Sequence, residues 1–540
     1  MLAGGKKKIA LVLTGAVSLG SFEAGVAYEL VKYIREQDTP DLEIDVIVGT
    51  SAGALTGALT AMSLVFGTAP EVLEEAWLSV QLEDLLRLNR RDKSLLSSSK
   101  VEQLIAKFIN PPAEAVHKIT GSQRAVDLVV VVTNLDGIKY RIHRANGSQF
   151  SIGAVGYEDE LRFRITPRFF HWKRLRDAVR ASSAYPAAFE PKVITRGNLE
   201  FRRFAKYNFA RQPEKKYYYS DGGIVNNQPL NKAIEVVSEL PQNDSENGYE
   251  RIFLVVDPSP FTREKSSPSE DHGVFEVVSK ALWTIPRNQY LYRDLLVLEK
   301  VNRRLKWKNS LISAIAETLN SSRITPEEAK SLKELCEEIA LFKGKKMYGA
   351  NPARYLELEE NRIRSAYSSE ISKVKNPDVF VKYCFLLEHV ADLRNKQEII
   401  VEMIKPRKPK EELAGVIFGN FGGFLDTEFM KHDFEVGQIY ARRWLNKEQG
   451  SKREVPFPNR DLSPKVRLQF FQKLIENSVP IMVEDIGPAL FSLNKGIHKD
   501  VLGIVTFVVM MGVGLGKYVV KKSYYWIKDR FFLTNPLKTK

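Results

Sequence analysis

Three rhythms of hydrophobic and polar residues divide the chain. Up to about residue 260, short apolar runs alternate with segments whose apolar residues recur every three or four positions. Ile9-Ala10-Leu11-Val12-Leu13 is continuously apolar, which predicts a parallel strand buried on both faces. Phe22, Val26, Leu30 and Tyr33 lie at helical spacing and predict a helix over Phe22 to Glu36. A second mostly apolar run, Ile44 to Val48, leads into an Ala- and Leu-rich stretch, Ala54 to Leu64, that reads as a helix. Asp127 to Thr133 reads as a strong buried strand, with Asn134-Leu135-Asp136-Gly137 as its turn and Lys139 to His143 as a return strand. A helix over Arg174 to Ser182, a strand over Tyr217 to Ser220, a helix over Pro229 to Leu240 and a strand over Arg251 to Val256 continue the alternation. This pattern predicts an α/β layer fold.

From about Phe261 to Lys410 strand-like runs vanish and long helical segments take over. Thr325-Pro326-Glu327-Glu328 marks a helix start, with Thr as N-cap, Pro in the first turn and acids behind it. Lys405 to Lys410 is a basic, proline-broken connector. Phe418 to Phe424 is an aromatic, glycine-rich turn, followed by a helix over Asp433 to Leu445. The third rhythm is Val501 to Leu515, which carries no charge. Counted through Val520 it reaches the roughly 20 residues that span a bilayer, provided Lys517 snorkels. A re-entrant or interfacial helix, or a buried C-terminal helix, competes with a span. The aromatic and basic residues beyond it, Tyr524-Tyr525-Trp526 and Phe531-Phe532 among lysines, suit a membrane surface. The expected organisation is a core over 1–260, a helical insertion over 261–410, a C-terminal helical region completing the core over 411–494, and a membrane-associated tail over 495–540.

Charge narrows the partners. The formal net charge is +14 over 540 residues, which favours nucleic acid or an anionic membrane surface. Cys336 and Cys384, the two cysteines, sit in helix-like apolar surroundings and read as free buried thiols. No C-x-x-C or H-E-x-x-H pattern occurs, so no metal or cofactor is implied. Lys6-Lys7-Lys8 before an apolar run imitates a secretory leader. The run flows into a Gly-rich turn and a helix, so a first strand explains it better and no cleaved leader is expected.

The chemistry gathers at strand ends. Gly49-Thr50-Ser51-Ala52-Gly53 fits G-x-S-x-G between a strand and a helix, the context of a nucleophile elbow. Thr14 to Ser21, with Gly15 and Gly20, is the loop after the first strand, and its N–H groups would lie beside Ser51 to bind an oxyanion. It lacks the Lys-Ser/Thr of a P-loop and the spacing of a dinucleotide loop. Asp221 ends a strand before Gly222 and Gly223, where its carboxylate would reach Ser51 as the base a serine needs. The seven histidines show no activating context.

These residues resemble the patatin-like phospholipase family of lipid acyl hydrolases. Leu13 to Gly20 is similar to its oxyanion-hole motif, Gly49 to Gly53 to its nucleophile motif, Asp221-Gly222-Gly223 to its aspartate motif, and Ala181 to Pro191 to the segment between them. The likeness covers about residues 8 to 260, and the piece from Phe418 onward is similar to longer bacterial relatives. The resemblance implies a three-layer α/β/α core with a largely parallel sheet, and a Ser51–Asp221 dyad working through an acyl-enzyme. Gly15, Ala16, Val17 and Ser18 would form the oxyanion hole. It also implies membrane glycerophospholipid or lysophospholipid as substrate. With the apolar tail it favours an anionic bilayer over nucleic acid as partner, and a membrane-associated protein on the cytoplasmic face. One departure stands out. The family's loop has three consecutive glycines, a small residue and Arg, where this chain has Gly15-Ala16-Val17-Ser18-Leu19. A β-branched residue resists positive φ, so Val17 strains the hole if the loop needs that conformation there. The alternatives are a non-catalytic membrane-associated lipid-binding or scaffolding protein on the same fold and a hydrolase with a histidine triad.

Overall fold

In the computed structural model the alternating apolar runs form one sheet with both faces covered. The structure describes residues 6–37, 41–81, 84–85, 94, 96–110, 125–143, 151–186, 188–197, 200–201, 215–240, 249–258, 285–321, 325–347, 351–391, 393, 398–416 and 420–448. The expected tail over 495–540 lies outside them. In chain order the main elements begin with β1 (Lys6–Leu13), α1 (Gly20–Arg35), β2 (Leu42–Thr50), α2 (Ala52–Phe66), α3 (Val72–Leu78) and α4 (Ser98–Phe108). Next come β3 (Val126–His143), β4 (Ser151–Ile165), α5 (Trp172–Ser182), β5 (Lys192–Arg196), β6 (Lys215–Asp221), α6 (Leu230–Glu239) and β7 (Tyr249–Val256). The remainder is α7 (Ile285–Ser321), α8 (Pro326–Met347), α9 (Pro352–Ala366), α10 (Pro377–Val390), β8 (Ile400–Ile404) and α11 (Thr427–Glu448).

The sheet order is β5-β6-β3-β2-β1-β7-β8, with β4 also paired to β3. β3, β2, β1, β7 and β8 run parallel, and β4, β5 and β6 add antiparallel pairs. The period of two sorts each central strand between two cores. Ile9, Leu11 and Leu13 of β1 pack in one cluster with residues of α1, α2, α5 and α11, while Ala10 and Val12 pack in another with Leu230, Ala233 and Val236 of α6. Continuous apolar strands are therefore buried on both sides, as their sequence requires. The result is the three-layer α/β/α core that the sequence predicts.

Two elements differ from expectation. Asn134 to Gly137 is not a hairpin turn: β3 runs through it as one strand, and its pairing with β4 shifts register between Thr133 and Ile138. Gly137 at φ 73° absorbs the extra residues as a bulge. Turn-type residues serve a bulge and a turn equally well, and β4 holds both halves of β3 in line. The second difference is β8, a strand within the stretch read as wholly helical. It adds in parallel to β7, with Ile252 opposite Ile400 and Val256 opposite Ile404. Asn302 of α7 fixes its entry, donating to the Ile399 carbonyl at 2.8 Å and accepting from the Ile399 N–H at 3.0 Å.

Helices α7 to α10 build a separate core from Ile312, Cys336, Tyr355, Phe380, Cys384 and Phe385. Both cysteines are free and buried, and burial pushes each thiol up to about 12. The start of α8 is a reciprocal cap: Glu328 N–H donates to Thr325 Oγ1 at 3.3 Å, and Thr325 N–H donates to Glu328 Oε2 at 2.8 Å. The final helix returns to the first. Phe434 and Phe22 backbone atoms lie where a Cβ on Gly25 or Gly437 would sit, 2.0 Å from the Phe434 oxygen and 2.1 Å from the Phe22 oxygen. Glycine at both positions lets α11 press on α1 and brings the residues before α11 over the end of β1.

Candidate active site

β2 runs its buried residues straight into Ser51, which precedes α2. The Ser51 backbone sits at φ 55° and ψ −120°, a strained conformation of the kind that costs roughly 1–3 kcal/mol and persists where surrounding structure enforces it. The enforcing contact is Ser182 at the end of α5. Ser51 N–H donates to Ser182 Oγ at 2.7 Å, and the Ser182 hydroxyl donates on to the Val131 carbonyl at 2.6 Å. Ser182 lies in the segment that resembles the family, yet no residue pattern reveals that it holds the elbow.

Asp221 arrives from the sheet. It ends β6 opposite Val132 of β3, and β3 lies beside β2 with Thr50 opposite Val131. Two strand steps thus carry the carboxylate to the serine. The Ser51 hydroxyl donates to Asp221 Oδ2 at 2.5 Å, with both residues buried. Gly223 N–H donates to Asp221 Oδ1 at 2.6 Å. Thr133 Oγ1 donates to the Asp221 carbonyl at 2.7 Å, and Asp221 N–H donates to the Ala184 carbonyl at 3.0 Å. Gly222 and Gly223 open the loop after Asp221, and this loop then ties in the other strand ends. Thr50 Oγ1 donates to the Asn226 carbonyl at 3.1 Å, and Gly15 N–H donates to the Asn227 carbonyl at 3.0 Å.

The loop after β1 lies beside Ser51, as its place in the sheet predicts. One expected donor is otherwise engaged: Gly15 N–H is spent on Asn227. Leu19 N–H donates to the Ala16 carbonyl at 3.1 Å, so the N–H groups of Val17 and Ser18 precede the first bond of this turn, and no hydrogen bond occupies them among the described residues. Val17 adopts φ 56°. The strain anticipated for a β-branched residue is therefore present. Leu19, where the family has Arg, is fully buried in the apolar core. Gly20 and Gly49 lie at close approaches, to the Trp77 ring and the Gly53 carbonyl respectively.

Behind the loop sits a buried acid. Thr14 N–H and Oγ1 donate to Glu23 Oε1 at 2.8 and 3.0 Å, while Glu23 Oε2 has no hydrogen-bond partner among the described residues. Burial raises the Glu23 carboxyl well above its ordinary range, the two Thr14 contacts oppose this, and Asp257 adds to it. An acid with a raised folded pKa keeps its proton after the unfolded chain has lost it, so stability falls as pH rises above the ordinary carboxylate range. Glu23→Gln keeps the acceptor for Thr14 and removes this loss. Thermal melts at increasing pH are expected to show the variant gaining on the wild type above that range, with the smallest difference in acid. Parallel melting curves would place the proton elsewhere.

An apolar cavity of about 100 Å³ opens at Ser51, lined by Val17, Leu55, Trp77, Leu104, Tyr185, Phe189, Phe421 and Phe424 among others. The three histidines whose side chains are described lie elsewhere. His389 pairs with Tyr355 and the Phe385 carbonyl, His432 donates to the Glu412 carbonyl, and His171 packs on Phe169 and Phe170. A larger groove of about 770 Å³ between β8 and α11 is lined by Lys405, Arg407, Arg443 and Lys447 and holds none of the motif residues. Among the described residues, no group of three or more His, Cys, Asp or Glu side chains could hold a metal. None of their helices is long and apolar enough to cross a membrane.

A largely parallel α/β sheet with a strained serine between strand and helix, hydrogen-bonded to a strand-end carboxylate, defines an elbow-type α/β architecture. The patatin-like phospholipase family model matches residues 11–234, and the chain carries a patatin-like phospholipase domain over that range. Two curated relatives match part of the chain. The "Uncharacterized membrane protein Rv3479" of Mycobacterium tuberculosis is 26% identical over 241 residues, 40% of this chain and 21% of that protein. The "Uncharacterized protein y4iI" of Sinorhizobium fredii is 21% identical over 355 residues, 47% of this chain and 49% of that protein. The chain thus spans between about a fifth and a half of the length of these relatives. Among solved structures, VipD from Legionella pneumophila matches at 12% identity and a TM-score of 0.26, covering 74% of this chain and 93% of that one.

Proposed function

We propose that this chain is a serine acyl hydrolase that cleaves acyl esters of membrane glycerophospholipids or lysophospholipids. The observation that carries the reading is the 2.5 Å hydrogen bond from Ser51 Oγ to Asp221 Oδ2. A serine hydroxyl is a weak nucleophile until a base takes its proton. Asp221 accepts that proton as Ser51 Oγ attacks the ester carbonyl, then returns it to the departing alcohol. Water attacks the acyl-enzyme with the same proton traffic in reverse. The negative charge on the carbonyl oxygen is met by the loop N–H groups of Ala16, Val17 and Ser18; Gly15, tied to Asn227, leaves that set. The apolar cavity beside Ser51 suits an acyl chain.

Labelling of the full chain with a fluorophosphonate probe tests this reading. Wild type is expected to be labelled, and Ser51→Ala is not. An unlabelled wild type would favour the non-catalytic scaffold, for which the positive φ of Val17 is the supporting observation.

The net charge of +14 and the apolar stretch Val501 to Leu515 support an anionic bilayer as the surface on which this chemistry runs. Each flanking lysine near such a surface contributes about 1 kcal/mol, and that part weakens with salt. A chain ending at Lys495 is expected to lose sedimentation with anionic liposomes while keeping hydrolysis of a small soluble ester. Loss of both would make the segment part of the folded protein.

A further inference from the structure

We propose that the strap Asn420 to Phe424, carried in by α11, gauges the acyl chain at the Ser51 site, with Phe421 and Phe424 setting the length accepted and Ser18 fastening the strap. The inference rests on the hydrolase reading and deepens it. The fastening is specific. The fully buried Ser18 hydroxyl donates to the Asn420 carbonyl at 2.5 Å and accepts from Gly423 N–H at 3.0 Å, joining residues some four hundred positions apart. Asn420 turns the chain at φ 73°, and asparagine is among the side chains that tolerate that region best. Gly423 lies so close that a Cβ there would meet Ser18 Oγ at 2.8 Å.

The strap brings two rings to the cavity. Phe421 stands edge-on to Tyr185 with centroids 5.8 Å apart, and Phe424 lies 6.1 Å from Phe421. Both line the same cavity as Ser51 and Val17. The lining is overwhelmingly aliphatic and aromatic, so it accepts the hydrocarbon of an ester and not its head group. The strap lies beyond residues 11–234. Chain-length choice is thereby written outside the matched domain and delivered by the α1–α11 contact. Because Ser18 also belongs to the loop beside Ser51, the hydroxyl that holds the strap positions the Val17 turn.

Two readouts on the full-length chain test this. The first is quenching of Trp77, which lines the cavity, by fatty acids from hexanoate to palmitate, with Trp77→Phe as the baseline. The second is kcat/KM for p-nitrophenyl esters of the same acids. Phe421→Ala and Phe424→Ala are each expected to move the best-bound acid to a longer chain and to raise the laurate-to-butyrate ratio roughly tenfold. Phe424→Trp should move both the opposite way, which loss of folding cannot do. Ser18→Ala should shift the ratio as the Phe→Ala variants do and lower kcat, and Ser18→Thr should restore it. Ratios within twofold of wild type in all three Phe variants would overturn the gauge, as would a wild type that binds no fatty acid. Chain-length-dependent binding that shifts in these variants, without any ester turnover, would uphold the gauge and overturn the hydrolase reading alone.

Discussion

Asp221→Asn is expected to silence the site as fully as Ser51→Ala. The asparagine is isosteric, can still accept the Gly223 N–H, and keeps Thr133 and Ala184 bound to its backbone. What it cannot do is take the Ser51 proton. Members of a unit that acts together lose nearly the same amount when removed singly, so each variant should fall roughly 10⁴-fold or more in kcat/KM for a soluble ester. Circular dichroism should show both folded. Fluorophosphonate labelling should vanish in Ser51→Ala and slow severely in Asp221→Asn. His171→Ala, His389→Ala and His432→Ala should retain turnover wherever they fold. A folded histidine variant as silent as Ser51→Ala would replace the dyad with a triad.

The parts of the site that sequence makes legible are those where backbone geometry restricts residue type. The Ser51 elbow, the loop after β1 and the Asp221 turn are each marked by glycines where chains crowd together. The central strands are equally legible, because Ile9 to Leu13 and Leu128 to Val132 must be apolar on both faces. β8 is not legible. Its Glu402 and Met403 are good helix formers, and an edge strand of five residues is too short to establish a period of two against the surrounding helices. The bulge in β3 is hidden for a different reason: Asn134 Oδ1 accepts from Asp136 N–H at 3.1 Å, the local bond of a turn, inside a strand held by its neighbour. Ser182, Phe421 and Phe424 lie in stretches that the sequence singles out, but their roles could not be read from pattern. Their roles depend on contacts spanning 131 residues for Ser182 and more than 400 for the strap, and nothing local distinguishes them from ordinary serines and phenylalanines. The engagement of Gly15 by Asn227 is a long-range fact of the same kind.

Gly53→Ala is expected to cost the Ser51 site most of its activity for a single added methyl group. A Cβ at Gly53 would lie 2.6 Å from the Leu13 carbonyl carbon and oxygen and 2.7 Å from the Thr14 oxygen. These are backbone atoms, and β1 cannot retreat because it is paired along its length to β2 on one side and β7 on the other. The first turn of α2 must move instead, and Ser51 moves with it, away from the Val17 and Ser18 N–H groups. A displacement of about 1 Å between reacting groups costs on the order of 100-fold, and that is the loss expected in kcat/KM and in the labelling rate. Gly57→Ala is the matched control, one helical turn further along α2. It gains the same helix propensity, about 1 kcal/mol, but its Cβ meets the Ile47 Cγ2 side-chain atom at 2.9 Å, and a side chain can yield. Gly57→Ala should therefore stay within a few-fold of wild type. Equal labelling rates for Gly53→Ala and Gly57→Ala would mean that the approach of α2 to the end of β1 does not set the distance between Ser51 and the loop.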